Sequence, residues 1–107
     1  ISSVSQIAAS LSIPLMLDEE SLEVVPATAD KEKLAKVIDL NDNVVIMKIA
    51  TNFKKVYQIL KERKLLDKTV IVENASMANQ RVQRLTEYSA DDQLPYFSTA
   101  LLKKKEA

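Results

Sequence analysis

The fold is decided by residues 69–82, TVIVENASMANQRV, in which a short apolar run leads into a polar exit. The run at 70–72 has no polar interruption, which is typical of a strand buried on both faces, as in a parallel sheet covered by helices. Glu73 and Asn74 end the run, and small residues follow them. Open α/β sheets bind ligands at the carboxyl ends of such strands. The stretch is therefore a candidate binding site, although an ordinary strand-to-loop exit has the same pattern.

The N-terminal half of the chain alternates between helix and strand patterns. Serines at positions 2, 3 and 5, followed by apolar residues at helical spacing, predict a capped helix that Pro14 ends. Residues 22–25 predict a short strand closed by Pro26, and Asp30 is placed to cap a helix with one apolar face. The sequence VVIMKIA at 44–50 carries the strongest strand pattern, which predicts a central strand.

The C-terminal half continues this alternation. Thr51 or Asn52 is placed to cap a further helix, and residues 97–102 alternate as a strand. Residues 81–88 permit either a strand or a helical turn. The apolar residues that share one face of the capped helix are Phe53, Val56, Tyr57 and Leu60.

This element order predicts an α/β fold: a mixed, mostly parallel sheet of about five strands with helices packed on it. The strand–helix–strand units at 22–49 and 43–72 are expected to be parallel crossovers. The last two segments follow loops and are expected to add antiparallel edge strands. At 107 residues the chain predicts a single domain, residues 1–107.

Composition excludes several kinds of function. The chain has no cysteine and no histidine, which argues against thiol nucleophiles, disulfides, most zinc sites and an imidazole general base. Fifteen basic residues balance fifteen acidic ones, so no nucleic-acid partner is expected. No segment approaches the ~20 apolar residues that cross a bilayer, and the first residues lack the basic front of a secretory leader. A soluble protein in the cytoplasm, without a membrane partner, is expected.

Glycine is absent, although average usage of about 7% would give about seven residues. A glycine-rich phosphate cradle is therefore missing from this chain. Helix ends and tight turns are expected to use Asn, Asp, Ser or Lys in conformations that suit glycine better. The chain also begins with Ile rather than Met, so a piece of a longer protein with glycine-bearing parts upstream is expected, although processing or cloning could also remove a Met.

Three blocks resemble successive segments of the tetrapyrrole methylases: ISSVSQIAASLSIPL at 1–15, VVIMKIATNFKKVYQIL at 44–60 and VENASMANQRV at 72–82. ESLEVVPAT, LNDNVVIMK and LPYFSTALLKK look most like the branch that methylates carbon 20 of precorrin-2 or cobalt-precorrin-2 in cobalamin biosynthesis. The resemblance spans the whole chain but covers only the C-terminal domain of that fold, because the glycine-rich loops of the family's N-terminal domain are not here.

The resemblance implies S-adenosyl-L-methionine as cofactor, bound between two domains, a tetrapyrrole substrate and a homodimer. Ser2, Ser3, Met47 and Ala75 stand where the family contacts this cofactor. The serines are also plausible helix caps, Met47 core filler and Ala75 the small residue of a tight turn. No catalytic side chain or metal is implied, because the electron-rich macrocycle is itself the nucleophile.

Some positions depart from the family pattern. Ser12 and Lys64 stand where the family often has glycine, which puts local turn geometry in question, and Ala75 adds a methyl group at a position of close approach. A non-catalytic α/β interaction or regulatory module, or an isolated structural domain, would share the same layer order. As half of a two-domain enzyme, the chain alone is expected to be inactive and to self-associate or expose an apolar patch.

Overall fold

The computed structural model describes residues 19–105, in which two helices and five strands form one mixed α/β unit. The elements are β1 (Leu22–Pro26), α1 (Lys31–Leu40), β2 (Asn43–Met47), α2 (Phe53–Glu62), β3 (Thr69–Glu73), β4 (Arg81–Arg84) and β5 (Ser98–Lys103). Short 3-10 turns at Ala50–Asn52, Leu66–Lys68 and Leu85–Glu87 connect some of them. The helix predicted ahead of Pro14 lies outside the described residues.

The strands are ordered β1-β2-β5-β3-β4 in a single sheet. β1 and β2 pair in parallel, whereas β5 is antiparallel to both β2 and β3, and β4 is antiparallel to β3. The mixed five-stranded sheet is confirmed. β1, β2 and β3 run in one direction, as the parallel crossovers predict. Most neighbouring pairs are nevertheless antiparallel, because β5 is inserted between β2 and β3.

The position of β5 corrects the expectation that both last strands lie at an edge. β5 is antiparallel but central, and its residues 98–102 are all buried. Ala100 lies opposite Ile46 on one side and Ile71 on the other. A strand whose two faces are both covered and whose backbone bonds to two neighbours belongs inside a sheet.

The ambiguous segment at 81–88 contains both structures that its pattern permits. Arg81–Arg84 forms β4, which is mostly exposed and lies at the sheet edge, as predicted. The 3-10 turn Leu85–Glu87 follows it directly and buries Leu85. The weak alternation of the strand therefore reflects an edge position with one partner.

The two helices begin differently. In α1 the predicted cap is confirmed, since Asp30 Oδ1 accepts a hydrogen bond from the Lys33 N–H at 2.8 Å. In α2 Asn52 occupies the cap position, but its side chain makes no capping bond. The preceding 3-10 turn explains this difference, because the chain enters α2 already turning, with the Asn52 N–H donating to the Ile49 carbonyl at 3.0 Å.

Both helices contribute to the main core on one face of the sheet. The apolar faces predicted for them are buried in this core, except that Tyr57 is only partly buried. On the polar side of α2, Lys55 is half-buried and donates to the Ala29 carbonyl at 2.7 Å. The fully buried members of the core include Leu34, Ile38, Ile46, Ile59, Leu60, Ile71 and Leu102.

A second, smaller cluster lies on the opposite face of the sheet. Its buried members are Val45, Val72 and Leu101, which come from the three central strands. Met47 and Ala75 are partly buried against it. The alternation of side chains along a strand separates these residues from the helix-covered core.

The missing glycines are replaced as expected. Within residues 19–105, four residues adopt positive φ: Lys48 at 57°, Lys64 at 58°, Asn74 at 54° and Ser76 at 64°. Lys64 ends α2 in a Schellman arrangement, in which its N–H donates to Lys61 at 3.0 Å and the Leu65 N–H donates to Leu60 at 2.9 Å. The left-handed conformation strains most residues with a Cβ atom, Asn least among them, so these three turns retain backbone strain.

Replacing Lys64 by glycine is expected to stabilise the protein by about 0.5–1 kcal/mol. Relief of the left-handed strain exceeds the extra entropy that glycine gives to the unfolded chain. Urea unfolding measures the change as a higher midpoint at constant slope. Gln58→Gly, at an exposed position in the middle of α2, is the control and should destabilise by about 1 kcal/mol. A lower midpoint for Lys64→Gly would contradict the strain assigned to this turn.

Candidate functional site

The candidate site lies where β2 and β3 end and β5 begins. Met47 is the last residue of β2, and Ala75 follows β3 by two residues. Both pack against the cluster of Val45, Val72 and Leu101. The structure therefore brings these two predicted site residues to the same face of the sheet, at its carboxyl edge. Both are half-buried, so part of each side chain remains accessible.

The Met47 thioether is held by the neighbouring strand. Its sulfur lies 3.9 Å from Oγ1 of Thr99, whose hydroxyl donates to it, and Thr99 is buried in β5. The Met47 carbonyl accepts a hydrogen bond from the Ala27 N–H at 2.8 Å. Met47 is thus fixed by both neighbours of β2, which favours a defined position over a freely moving side chain.

The loop after β3 turns sharply around Ala75. Asn74 and Ser76, on either side, both have positive φ. The Met77 N–H donates to the Asn74 carbonyl at 3.0 Å, and the Ser76 N–H donates to Gln80 Oε1 at 2.7 Å. These bonds close the turn on itself. A small side chain at Ala75 is therefore compatible with the tight turn that the sequence offered as the alternative explanation.

Main-chain bonds join the loops to the beginning of β5. The Asn74 N–H donates to the Phe97 carbonyl at 2.8 Å, and the Ile49 N–H donates to the Ser98 carbonyl at 3.4 Å. Tyr96 and Phe97 are 71% and 63% exposed, and their rings meet edge to face with centroids 4.9 Å apart. Exposed apolar side chains thus accompany the backbone turns at this edge.

A buried polar pair lies directly behind the loop. Glu73, at the end of β3, is 7% exposed, and its Oε2 accepts a hydrogen bond from the Tyr88 hydroxyl at 2.6 Å. Burial, and then the bond to Glu73, raises the pKa of the Tyr88 hydroxyl above its usual range. Tyr88 therefore remains a protonated donor at neutral pH.

The sequence did not anticipate this pair or the contact between Thr99 and Met47. Glu73 was visible only as the charge that ends an apolar run, and Tyr88 only as the end of an ambiguous segment. Partners 15 residues apart leave no periodic signal in the sequence. Ser2 and Ser3, the other two predicted cofactor residues, lie outside the described part of the chain.

Residues 19–105 contain neither a candidate metal site nor a helix that could span a membrane. Within that range, no group of three or more acidic, histidine or cysteine residues is placed to hold a metal ion. The two helices in that range are too short to cross a bilayer.

The fold and the candidate site at this edge correspond to the α/β domains whose ligands bind in the loops at the carboxyl ends of the strands. The family model for Tetrapyrrole (Corrin/Porphyrin) Methylases matches residues 1–91, and the chain belongs to this family. The match includes Met47, Ala75 and the whole of β4.

Two curated relatives are similar over almost the entire chain. The cobalt-precorrin-2 C(20)-methyltransferase of Salmonella typhimurium is 31% identical over 106 residues, which are 98% of this chain and 45% of that protein. The cobalamin biosynthesis protein CobIJ of Mycobacterium tuberculosis is 31% identical over 102 residues, covering 95% of this chain and 20% of that protein. The chain therefore spans less than half the length of these relatives.

Solved structures agree with the fold. The cobalt precorrin-4 methyltransferase CbiF aligns with a TM-score of 0.75 and 16% identity, covering 96% of this chain and 49% of that chain. A uroporphyrin-III C-methyltransferase from Thermus thermophilus, complexed with S-adenosylhomocysteine, aligns with a TM-score of 0.60 and 18% identity, covering 94% and 49%. At these identities the likeness concerns the fold.

Proposed function

We propose that this chain is the C-terminal half of an S-adenosylmethionine-dependent methyltransferase that methylates carbon 20 of precorrin-2 or cobalt-precorrin-2 in cobalamin biosynthesis. The observation that carries this proposal is the 31% identity to the Salmonella C(20)-methyltransferase along 98% of the chain. Because only 45% of that relative is matched, an N-terminal domain would complete the enzyme. In this proposal the whole protein works in the cytoplasm as a homodimer.

The residues at the sheet edge fit the cofactor. S-adenosylmethionine presents adenosine and methionine moieties, which need an apolar surface and nearby backbone hydrogen-bonding groups. Met47 and Ala75 provide partly exposed apolar surface on the cluster around Val72. The two positive-φ residues beside Ala75 turn the backbone sharply at that point. In the proposal, Met47 and Ala75 hold the cofactor together with Ser2 and Ser3.

The role of this half is binding and orientation. When bound, S-adenosylmethionine supplies an electrophilic methyl group to the tetrapyrrole carbon. Met47 is fixed by Thr99 and Ala27, and Ala75 by its hydrogen-bonded turn, so both are held in place before a ligand binds. Prior ordering lowers the entropy lost on binding and keeps reacting partners in line. Glu73 is occupied by Tyr88 and is not assigned a proton transfer.

The affinity of the separate chain tests the two-domain account. Titrating S-adenosylhomocysteine into this chain by calorimetry should give a Kd of about 1 mM. A micromolar affinity corresponds to about 8 kcal/mol, and retaining half of that free energy gives millimolar binding. The longer gene product should bind with micromolar affinity. Low-micromolar binding by this chain alone would contradict the need for a second domain.

The reaction itself is tested with the longer gene product. Incubation with S-adenosylmethionine and precorrin-2, or its cobalt form, should yield a tetrapyrrole heavier by one methylene unit, with nuclear magnetic resonance placing the new methyl group at carbon 20. Methylation at another ring carbon would reject the C(20) assignment while retaining the class of reaction. An absence of methyl transfer to either substrate would reject the proposed function.

A further inference from the structure

We propose that Tyr88 is a positioning residue that couples the loop after β2 to the loop after β3. The first loop, 48–52, directly follows Met47, and the second loop, 74–80, contains Ala75. Met47 and Ala75 are the residues assigned above to cofactor binding. Tyr88 would act through its neighbours, without touching the ligand. The inference deepens the proposed function and rests on it only for its binding readout.

The first observation is the bond from Tyr88 to β3. The phenol donates to Glu73 at 2.6 Å, and both residues are at least nine-tenths buried. Glu73 is the last residue of β3, immediately ahead of the strained turn at Asn74. A short hydrogen bond to a carboxyl oxygen in a buried setting is directional, and its loss there is costly. It fixes the point from which the loop around Ala75 departs.

The second observation is the ring contact from Tyr88 to α2. The aromatic ring of Tyr88 lies 5.7 Å from that of Phe53, in a tilted arrangement. Phe53 is the first residue of α2 and is 2% exposed, so it fixes the far end of the segment 48–52 that begins after Met47. Tyr88 therefore holds the end of the loop 48–52 through the packing of its ring on Phe53. It holds the beginning of the loop 74–80 through its hydrogen bond to Glu73.

The third observation is the side of the sheet on which this happens. Tyr88 and Phe53 belong to the helix-covered core, whereas Met47 and Ala75 pack on the cluster of the opposite face. The pair thus acts from behind the sheet. This placement separates a positioning role from direct contact with a ligand on the side where Met47 and Ala75 lie.

The test combines two variants with a matched control. Tyr88→Phe keeps the ring on Phe53 but removes the donor, leaving Glu73 buried without it. Tyr88→Phe should therefore loosen 74–80 alone. The double variant Tyr88→Leu with Glu73→Met removes both the ring on Phe53 and the hydrogen bond, and it leaves no buried carboxyl group without its donor. Tyr57→Phe is the control, because Tyr57 also packs on Phe53, with ring centroids 5.9 Å apart, but is only half-buried.

Hydrogen exchange of this 107-residue chain, followed by mass spectrometry, measures the coupling. In the double variant, amide exchange should accelerate by about fivefold or more in both 48–52 and 74–80, while α1 keeps its protection. Tyr57→Phe should leave both segments unchanged. Unchanged exchange in the double variant, acceleration in only one loop, or a uniform increase throughout the chain would overturn the coupling.

A second readout separates this inference from the function on which it rests. In the longer gene product, the double variant should raise the Kd for S-adenosylhomocysteine by about five- to tenfold, and Tyr57→Phe should not change it. If the unaltered protein binds but the double variant binds equally well, the positioning role is wrong. If the unaltered protein does not bind, the proposed function fails, while the exchange result still decides whether the loops are coupled.

Discussion

Ala75→Leu is expected to weaken binding of S-adenosylhomocysteine to the proposed two-domain methyltransferase by about 100-fold. Ala75 is half-buried against Val72 and its neighbours, between two residues with positive φ. The turn has little room for a larger side chain, so leucine must project into the surface proposed for the cofactor or displace the loop. A 100-fold change corresponds to about 2.7 kcal/mol, within the usual range for inserting extra methylene groups into a packed site. Calorimetric titration measures it.

Two further variants show whether the loss of affinity is specific to position 75. Ala78→Leu introduces the same side chain at an exposed position of the same loop and should leave the Kd within about twofold. Ala75→Gly restores the residue that the family pattern has there and should bind at least as tightly as the unaltered protein. Equal losses for Ala75→Leu and Ala78→Leu would show a loop sensitive to bulk anywhere, and would reject Ala75 as a contact.

Ile46→Ala should destabilise the fold by about 2–5 kcal/mol, because it removes a buried side chain and leaves a cavity. Ile46 is 0% exposed in β2 and lies in the helix-covered core, opposite Ala100 of β5. The methyl group of the neighbouring Ala100 is too small to fill the cavity left by the substitution. In a domain of this size the midpoint of thermal unfolding should fall by about 8–40 °C. Calorimetry or circular dichroism measures the shift.

The matched control for this core variant lies on the neighbouring strand. Val24 of β1 is 47% exposed, so Val24→Ala should change the free energy of unfolding by less than about 0.5 kcal/mol. The contrast separates burial from strand propensity, because both substitutions replace a β-branched residue by alanine in the same sheet. A comparable loss at the two positions would contradict the assignment of the Ile46→Ala effect to burial.

The sequence anticipated the parts of the fold that depend on local chemistry. Asp30 caps α1 because a carboxylate at that position can accept from the Lys33 backbone, whatever the rest of the chain does. The strand at 69–73 is visible because an apolar run of that length is consistent with burial on both faces. Lys was among the residue types expected to replace glycine at helix ends, and Lys64, after α2, has a φ of 58°.

The sequence did not determine how distant segments are ordered. The alternation in residues 97–102 correctly predicts a strand, but edge strands and central strands can show the same alternation. Only the pairing of Ala100 with both Ile46 and Ile71 distinguishes these positions, and that pairing is a property of the assembled sheet. The cap assigned to Thr51 or Asn52 failed to appear for a related reason, since a 3-10 turn leads directly into α2.

The candidate site could be predicted from the sequence to a similar extent. The resemblance selected Met47 and Ala75, and the structure places both on one face at the carboxyl edge. Their role in cofactor binding, like that of Ser2 and Ser3, remains a prediction. The supporting contacts were not accessible to sequence reasoning, because Thr99 and Tyr88 reach the site only through the pairing of β5 and the packing of a 3-10 turn.

The central place of β5 has a consequence for how this protein is made. A ribosome synthesises β1 to β4 first, yet these strands form two separate pairs, β1 with β2 and β3 with β4. The strand that joins the pairs is translated last. Until it emerges, each nascent pair exposes one unpaired inner edge that is later covered, and such edges associate readily with other chains. The interval before β5 leaves the ribosome is therefore the period in which this domain is expected to be most open to association with other chains.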